Sequence, residues 1–145
     1  MEMKFPCHPK CIAACVVRVS FGLSLLFVGL VHYMNFTAFK GMVSEDLAAL
    51  TLFGTLWAYI LPALMIVGGA LLVIGMFLDV AAWTAGIALA SIPAGMLLKS
   101  VLSGVSLATT MPSANDALLW LLIFFFVVKS SSCCGGGKDG CCSSK

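Results

Sequence analysis

Four long apolar runs, separated by short clusters of polar and turn-forming residues, set the pattern of this chain. They extend from about Ile12 to Met34, Trp57 to Leu78, Val80 to Leu102 and Asn115 to Lys129. A helix needs roughly 20 apolar residues to cross the hydrocarbon of a bilayer, so each run is predicted to be a spanning helix. The fourth is short and calls for extension at one end or a thinned bilayer around it. No alternation of polar and apolar residues appears, which argues against a β-barrel. Backbone groups in lipid must then be satisfied inside helices. The expected fold is all-α: an integral membrane four-helix bundle over residues 12–129, with an interfacial segment at 1–11 and a disordered Cys/Gly/Ser-rich tail at 130–145.

The interruptions refine this outline. Pro6, His8, Pro9 and Lys10 read as turn and interface. The first run continues past Val31, is interrupted early by Arg18 and ends in no small-x-small site, so it reads as a retained helix rather than a cleaved signal. The stretch from Asn35 to Thr51 is mixed. Within it Ser44-Glu45-Asp46 predicts a helix start, with Ser44 as N-cap and two acids favoured by the helix dipole. Pro62 predicts a kink in the second span or its start. Asp79 breaks the apolar run, leaving room for only a tight connection between spans two and three. Ser103 to Ser113, with Gly104, Thr109, Thr110 and Pro112, is expected to be a loop.

Composition agrees with lipid as the solvent. The chain has 145 residues, 61% hydrophobic and 10% charged, where soluble domains carry about 25% charged residues. A small soluble domain has too high a surface-to-volume ratio to hide so much apolar surface. A net charge of +2 without a basic patch gives no reason to expect nucleic acid. Lys4, Lys10 and Arg18 lie near the start and Lys129, Lys138 and Lys145 near the end, against only Lys40 and Lys99 between them on the other side. The positive-inside rule then places both termini in the cytoplasm of a multi-pass protein of the cell (inner) membrane.

Few residues offer chemistry. Arg18, Gly22, Leu25, Gly29 and His32 follow steps of three and four along one face of the first helix. The glycines on it permit close helix approach, so this face is expected to point inward. Arg18 either snorkels to the interface or forms a structural charge pair with Asp79. His32 is expected at the same level as Tyr33, Lys99, Asn115, Asp116 and Glu45. This level is either a binding site or a rim that meets water. Ala82, Gly86, Ala90 and Ala94 recur every four residues in the third span, as a packing stripe. Phe124-Phe125-Phe126 occupies all sides of the fourth, which excludes a single-faced cofactor box.

Seven cysteines complete the inventory. Cys7, Cys11 and Cys15 are spaced by four. Cys133-Cys134 and Cys141-Cys142 lie in the tail and could wrap zinc or cuprous copper as thiolates. Their spacing is not that of CxxC pairs, and incidental thiols or palmitoylation are the other readings. There is no Walker loop, dinucleotide fingerprint, nucleophile elbow or haem attachment motif, so no catalytic residue is assigned.

The stretch VVRVSFGLSLLFVGLVHY resembles the opening of DoxX-like membrane proteins, with Arg18, Gly22, Gly29 and His32 at the places of an arginine, spaced glycines and a closing polar residue. LPALMIVGGALLVIGMFLDVAAWTAGIAL resembles that family's second and third helices through Pro62, Gly68, Gly69, Gly75, Phe77 and Asp79. The entry to the fourth span, with Asn115, also fits. His32 stands where lysine is more usual and Asp79 where many relatives carry a basic residue. The resemblance covers about residues 14 to 128 and excludes the tail. It implies a four-helix accessory or structural subunit of a membrane redox system, in contact with lipid, a second copy or a redox partner protein. The alternatives are an oxidoreductase component that meets quinone or a sulfur compound, and a thiol-based metal-binding membrane protein.

Overall fold

The computed structural model describes residues 9–44, 51–104 and 106–131. Among these residues five helices follow in chain order: α1 (Pro9–Met34), α2 (Phe36–Ser44), α3 (Thr51–Ile74), α4 (Leu78–Ser103) and α5 (Leu107–Ser131). No strand occurs among the described residues. Four helices are long and apolar enough to cross a membrane: Ile12–Met34, Thr51–Ile74, Leu78–Leu102 and Leu107–Ser130. At most 39% of any of these spans is buried inside the molecule, so most of their apolar surface faces outward. Trp83, Leu52 and Val101 are fully outward examples, at 72%, 84% and 80% exposed. Such a surface belongs in lipid. The architecture is an all-α membrane four-helix bundle, with α2 as a fifth, short helix.

Lipid tails are as apolar as leucine, so burial alone cannot hold spans together and close packing must. The tightest contact joins α1 to α3. A Cβ built on Gly69 would lie 2.6 Å from the Gly22 carbonyl oxygen and 2.7 Å from the Leu26 nitrogen. One on Gly29 would meet the Pro62 carbonyl oxygen at 3.0 Å and the Ile66 nitrogen at 3.2 Å. The two helices are therefore antiparallel and touch backbone to backbone through glycine. Arg18, Gly22, Leu25 and Gly29 are buried and His32 half-buried, as the helical stripe implies. Pro62 is fully buried inside α3 and does not end it. Its ring removes the donor that would serve the Ala58 carbonyl. At the next residue, the Tyr33 hydroxyl donates to the Tyr59 carbonyl at 3.0 Å.

Gly68 meets α4 at Ala85, and Gly86 of α4 meets the Phe124 ring of α5. Phe124 packs on Phe21 of α1 at 6.0 Å between ring centroids, and Trp120 does so at 5.6 Å. These contacts close the bundle and bring the start of α1 and the end of α5 to the same end.

The structure departs from expectation at several places, each for a local reason. The last span begins at Leu107, so the segment expected as a loop is helical and the span has full length. Thr110 fits because its hydroxyl bonds back to the Leu107 carbonyl, and Pro112 removes only one bond near the helix start. Ser44 is the last residue of α2, its hydroxyl donating to the Lys40 carbonyl at 2.6 Å; Glu45 and Asp46 of the expected helix start lie outside the described residues. The α3–α4 turn falls at Gly75–Phe77, before Asp79, which lies in the first turn of α4. The turn needs left-handed backbone at Gly75 (φ 77°) and Phe77 (φ 50°). Finally, the buried stripe of α4 is Ala81, Ala85 and Ala88. The row Ala82, Gly86 and Ala90 lies one residue round and, with Trp83 and Ile87, edges a shallow open groove.

Candidate functional site

The short helix α2 does not span. It folds against α3, with Lys99 of α4 donating to the Met42 carbonyl at 2.9 Å. Between α2, α3, α4 and the end of α1 this leaves a cavity of about 350 Å³. That volume is within the usual range for small-molecule sites, roughly 300–1,000 Å³. Its wall is mainly apolar: Phe39, Val43, Phe53, Trp57, Leu61, Ile92, Met96 and Leu98. Phe53 and Trp57 stack at 6.0 Å and 9°. Gly54 and Gly95 also line it; a Cβ on Gly54 would meet the Val43 carbonyl oxygen of α2 at 3.1 Å. A Cβ on Gly95 would meet nothing within 4 Å.

His32, Ser91 and Lys99 bring polar groups to this cavity, and Trp57 an indole N–H. His32 is held on two sides. Its Nδ1 lies 2.6 Å from the Val28 carbonyl oxygen, and its ring sits edge-on to Phe39 at 4.3 Å and 82°. The Ser91 hydroxyl donates to the Ala88 carbonyl at 2.7 Å. The group is small, fixed and surrounded by apolar surface, the arrangement that orients a largely apolar ligand by its head.

The structure thus brings together His32 and Lys99, two of the four residues expected on one polar level. Asn115 and Asp116 are exposed on α5 and are not part of the cavity wall. Tyr33 turns to Tyr59 and Phe36 instead. Glu45 lies outside the described residues. Ser91 and Gly95 carry no motif. The position of α2, which their sequence does not reveal, is what makes them cavity residues.

Arg18 and Asp79 lie at the other end of the bundle. Arg18 is only 9% exposed, and its Nε is buried with no hydrogen-bond partner. Its guanidinium packs on Gly75, where a Cβ would come within 2.8 Å of a terminal nitrogen. Asp79 is exposed, and no ion pair joins it to Arg18 among the described residues. The expected charge pair is absent for a positional reason: the turn closes before Asp79, so the carboxylate points out from the first turn of α4. The arginine lies instead at the C-terminal end of α3, the negative end of that helix dipole.

Cys133, Cys134, Cys141 and Cys142 lie outside the described residues, as do residues 1–8. Among the described residues no group of three or more His, Cys, Asp or Glu side chains is placed to hold a metal ion. Comparisons with protein-family models, curated proteins and solved structures gave no match. Fold and site together define a class, a four-span membrane bundle with an apolar, polar-headed cavity beside a short non-spanning helix.

Proposed function

We propose that the chain is a non-catalytic accessory subunit of the DoxX-like kind, in the cell (inner) membrane with both termini cytoplasmic. Its task is to hold an apolar molecule with a small polar head, a quinone being the redox-active example, for a partner protein. The cavity carries this reading: about 350 Å³ of apolar space, ended by His32 and Lys99. The arginine- and glycine-marked first helix and the GG-bearing α3 support the family comparison, and six basic residues on the terminal segments support the orientation.

Purification in mild detergent, with identification of bound proteins, quinone and metal, tests the proposal. An apolar small molecule and a cofactor-bearing neighbour are expected in the wild-type preparation. A preparation holding neither, from membranes that contain both, would refute it.

A further inference from the structure

Among the described residues Arg18 is the buried charged side chain, and its guanidinium makes no hydrogen bond or ion pair there. Its Nε is enclosed without a partner. The two terminal nitrogens, also without a partner among the described residues, are not enclosed and so open to the surface. A permanent cation inside a span is costly unless something anionic or wet meets it. Nothing described in this chain supplies the anion. Asp79, the acid at this end of the bundle, is exposed and unpaired with it. Asp116 belongs to the start of α5, at the other end.

Depth and surroundings say what kind of anion fits. Arg18 lies less than two turns inside the span that starts at Ile12. It packs on Gly75, where the α3–α4 turn begins. That turn exposes Met76 and Phe77, and the chain neighbours Val17 and Ile74 are exposed as well. Such a collar of apolar side chains belongs among acyl chains, beneath the water. A soluble anion would have to shed its hydration to enter it. A phospholipid carries its phosphate to this level with its own chains around it. Guanidinium holds phosphate oxygens through paired N–H donors, and basic positions between spans near one face of a bilayer take phospholipid head groups.

We propose that Arg18, at the α3–α4 turn, binds the phosphate of a phospholipid head group through its two terminal nitrogens. The lipid's chains lie over the exposed apolar residues beside it. The site is at the opposite end of the bundle from the His32–Lys99 cavity and does not depend on a ligand there.

The test uses the full chain, stripped of lipid in mild detergent. It is titrated with dioleoylphosphatidylglycerol, with dioleoylglycerol, which lacks the phosphate, and with inorganic phosphate. Native mass spectrometry reads the adducts, and thermal unfolding reads the stabilisation that binding brings. The wild type is expected to take up one phosphatidylglycerol about tenfold or more tightly than dioleoylglycerol, the scale of a hydrogen bond to a charged group. Inorganic phosphate at millimolar concentration should not stabilise it. Arg18→Gln should lose the preference. Arg18→Lys, which keeps the charge but not the paired donors, should lose about threefold of it. Asp79→Asn should leave it intact. Equal binding of the two lipids by the wild type would overturn the site, whatever the variants do. An undiminished preference in Arg18→Lys would overturn the guanidinium as its holder even where Arg18→Gln does not fold. Stabilisation by inorganic phosphate as large as that by the lipid would overturn the lipid assignment in favour of a soluble anion.

Discussion

Adding one methyl group at Gly69 and one at Gly95 should have opposite consequences, although both glycines lie inside long apolar helices. At Gly69 the new Cβ would stand 2.6 Å from the Gly22 carbonyl oxygen and 2.7 Å from the Leu26 nitrogen. Both are backbone atoms of α1 and cannot rotate away. Restoring an ordinary contact of 3.4 Å means opening the α1–α3 interface by about 0.8 Å. Overpacking of this kind costs about 1–3 kcal/mol, and rigid neighbours place it in the upper half of that range. At Gly95 the Cβ enters open space. Glycine to alanine in a helix gains up to about 1 kcal/mol from propensity. That gain is common to both sites, so the difference between the two variants isolates the packing cost. Gly95→Ala should thus exceed Gly69→Ala in stability by about 2–3 kcal/mol. Reversible unfolding in mixed micelles, followed by tryptophan fluorescence, measures it. A gap below about 0.5 kcal/mol would refute the claim that α1 and α3 are held by glycine-mediated backbone contact.

Other outcomes follow from single contacts. Asp79→Asn should cost no more than about 0.3–1 kcal/mol in the same unfolding assay, the value of an acid in a first helical turn; a loss of 3–5 kcal/mol, typical of a broken buried pair, would restore the Arg18–Asp79 ion pair. Tyr33→Phe should lose about 0.6 kcal/mol, the mean for a hydrogen bond between spans, and no change would remove the Tyr59 carbonyl contact from the account. Phe77→Gly should stabilise by about 1 kcal/mol by relieving a left-handed backbone under an exposed side chain, and destabilisation would contradict that turn geometry. Single cysteines placed at positions 9 and 131 in a cysteine-free background should react with an impermeant thiol reagent from the same side of the membrane; labelling from opposite sides would exclude an even number of spans.

The sequence disclosed the bundle more fully than the site. The inward face of α1 was legible because Arg18, Gly22, Gly29 and His32 are rare types at helical spacing, and a membrane helix hides such groups. The α4 stripe was partly legible: Gly86 of the expected row meets the Phe124 ring, but the fully buried row is Ala81, Ala85 and Ala88, because that helix is apolar and small on several sides. In lipid, inside and outside are equally apolar, so Ala82 and Ala81 look alike until a neighbour is placed. The start of α5 was hidden by Thr109, Thr110 and Pro112, which are turn signals in water. Within a helix, Thr110 satisfies its hydroxyl on its own backbone.

The cavity was half legible. His32 and Lys99 stood out as ionisable groups in apolar runs, and the level assigned to them brought them to one place. Asn115 and Asp116 were grouped with them by depth alone, and depth does not say which side of a helix faces in. Ser91 and Gly95 were invisible because their role depends on where α2 rests, and α2 is fixed by tertiary contacts such as that of Lys99 with the Met42 carbonyl.

The most direct test of the central claim is mass spectrometry of the intact protein released from native membrane patches, comparing wild type with Gly95→Phe. Gly95 lines the cavity and a Cβ there meets nothing within 4 Å, so phenylalanine at position 95 is expected to occupy part of that space without disturbing the packing of the bundle. The wild type should carry a discrete apolar small-molecule adduct that Gly95→Phe lacks. An identical adduct in both proteins, or none in the wild type, would contradict a ligand-holding role for this bundle.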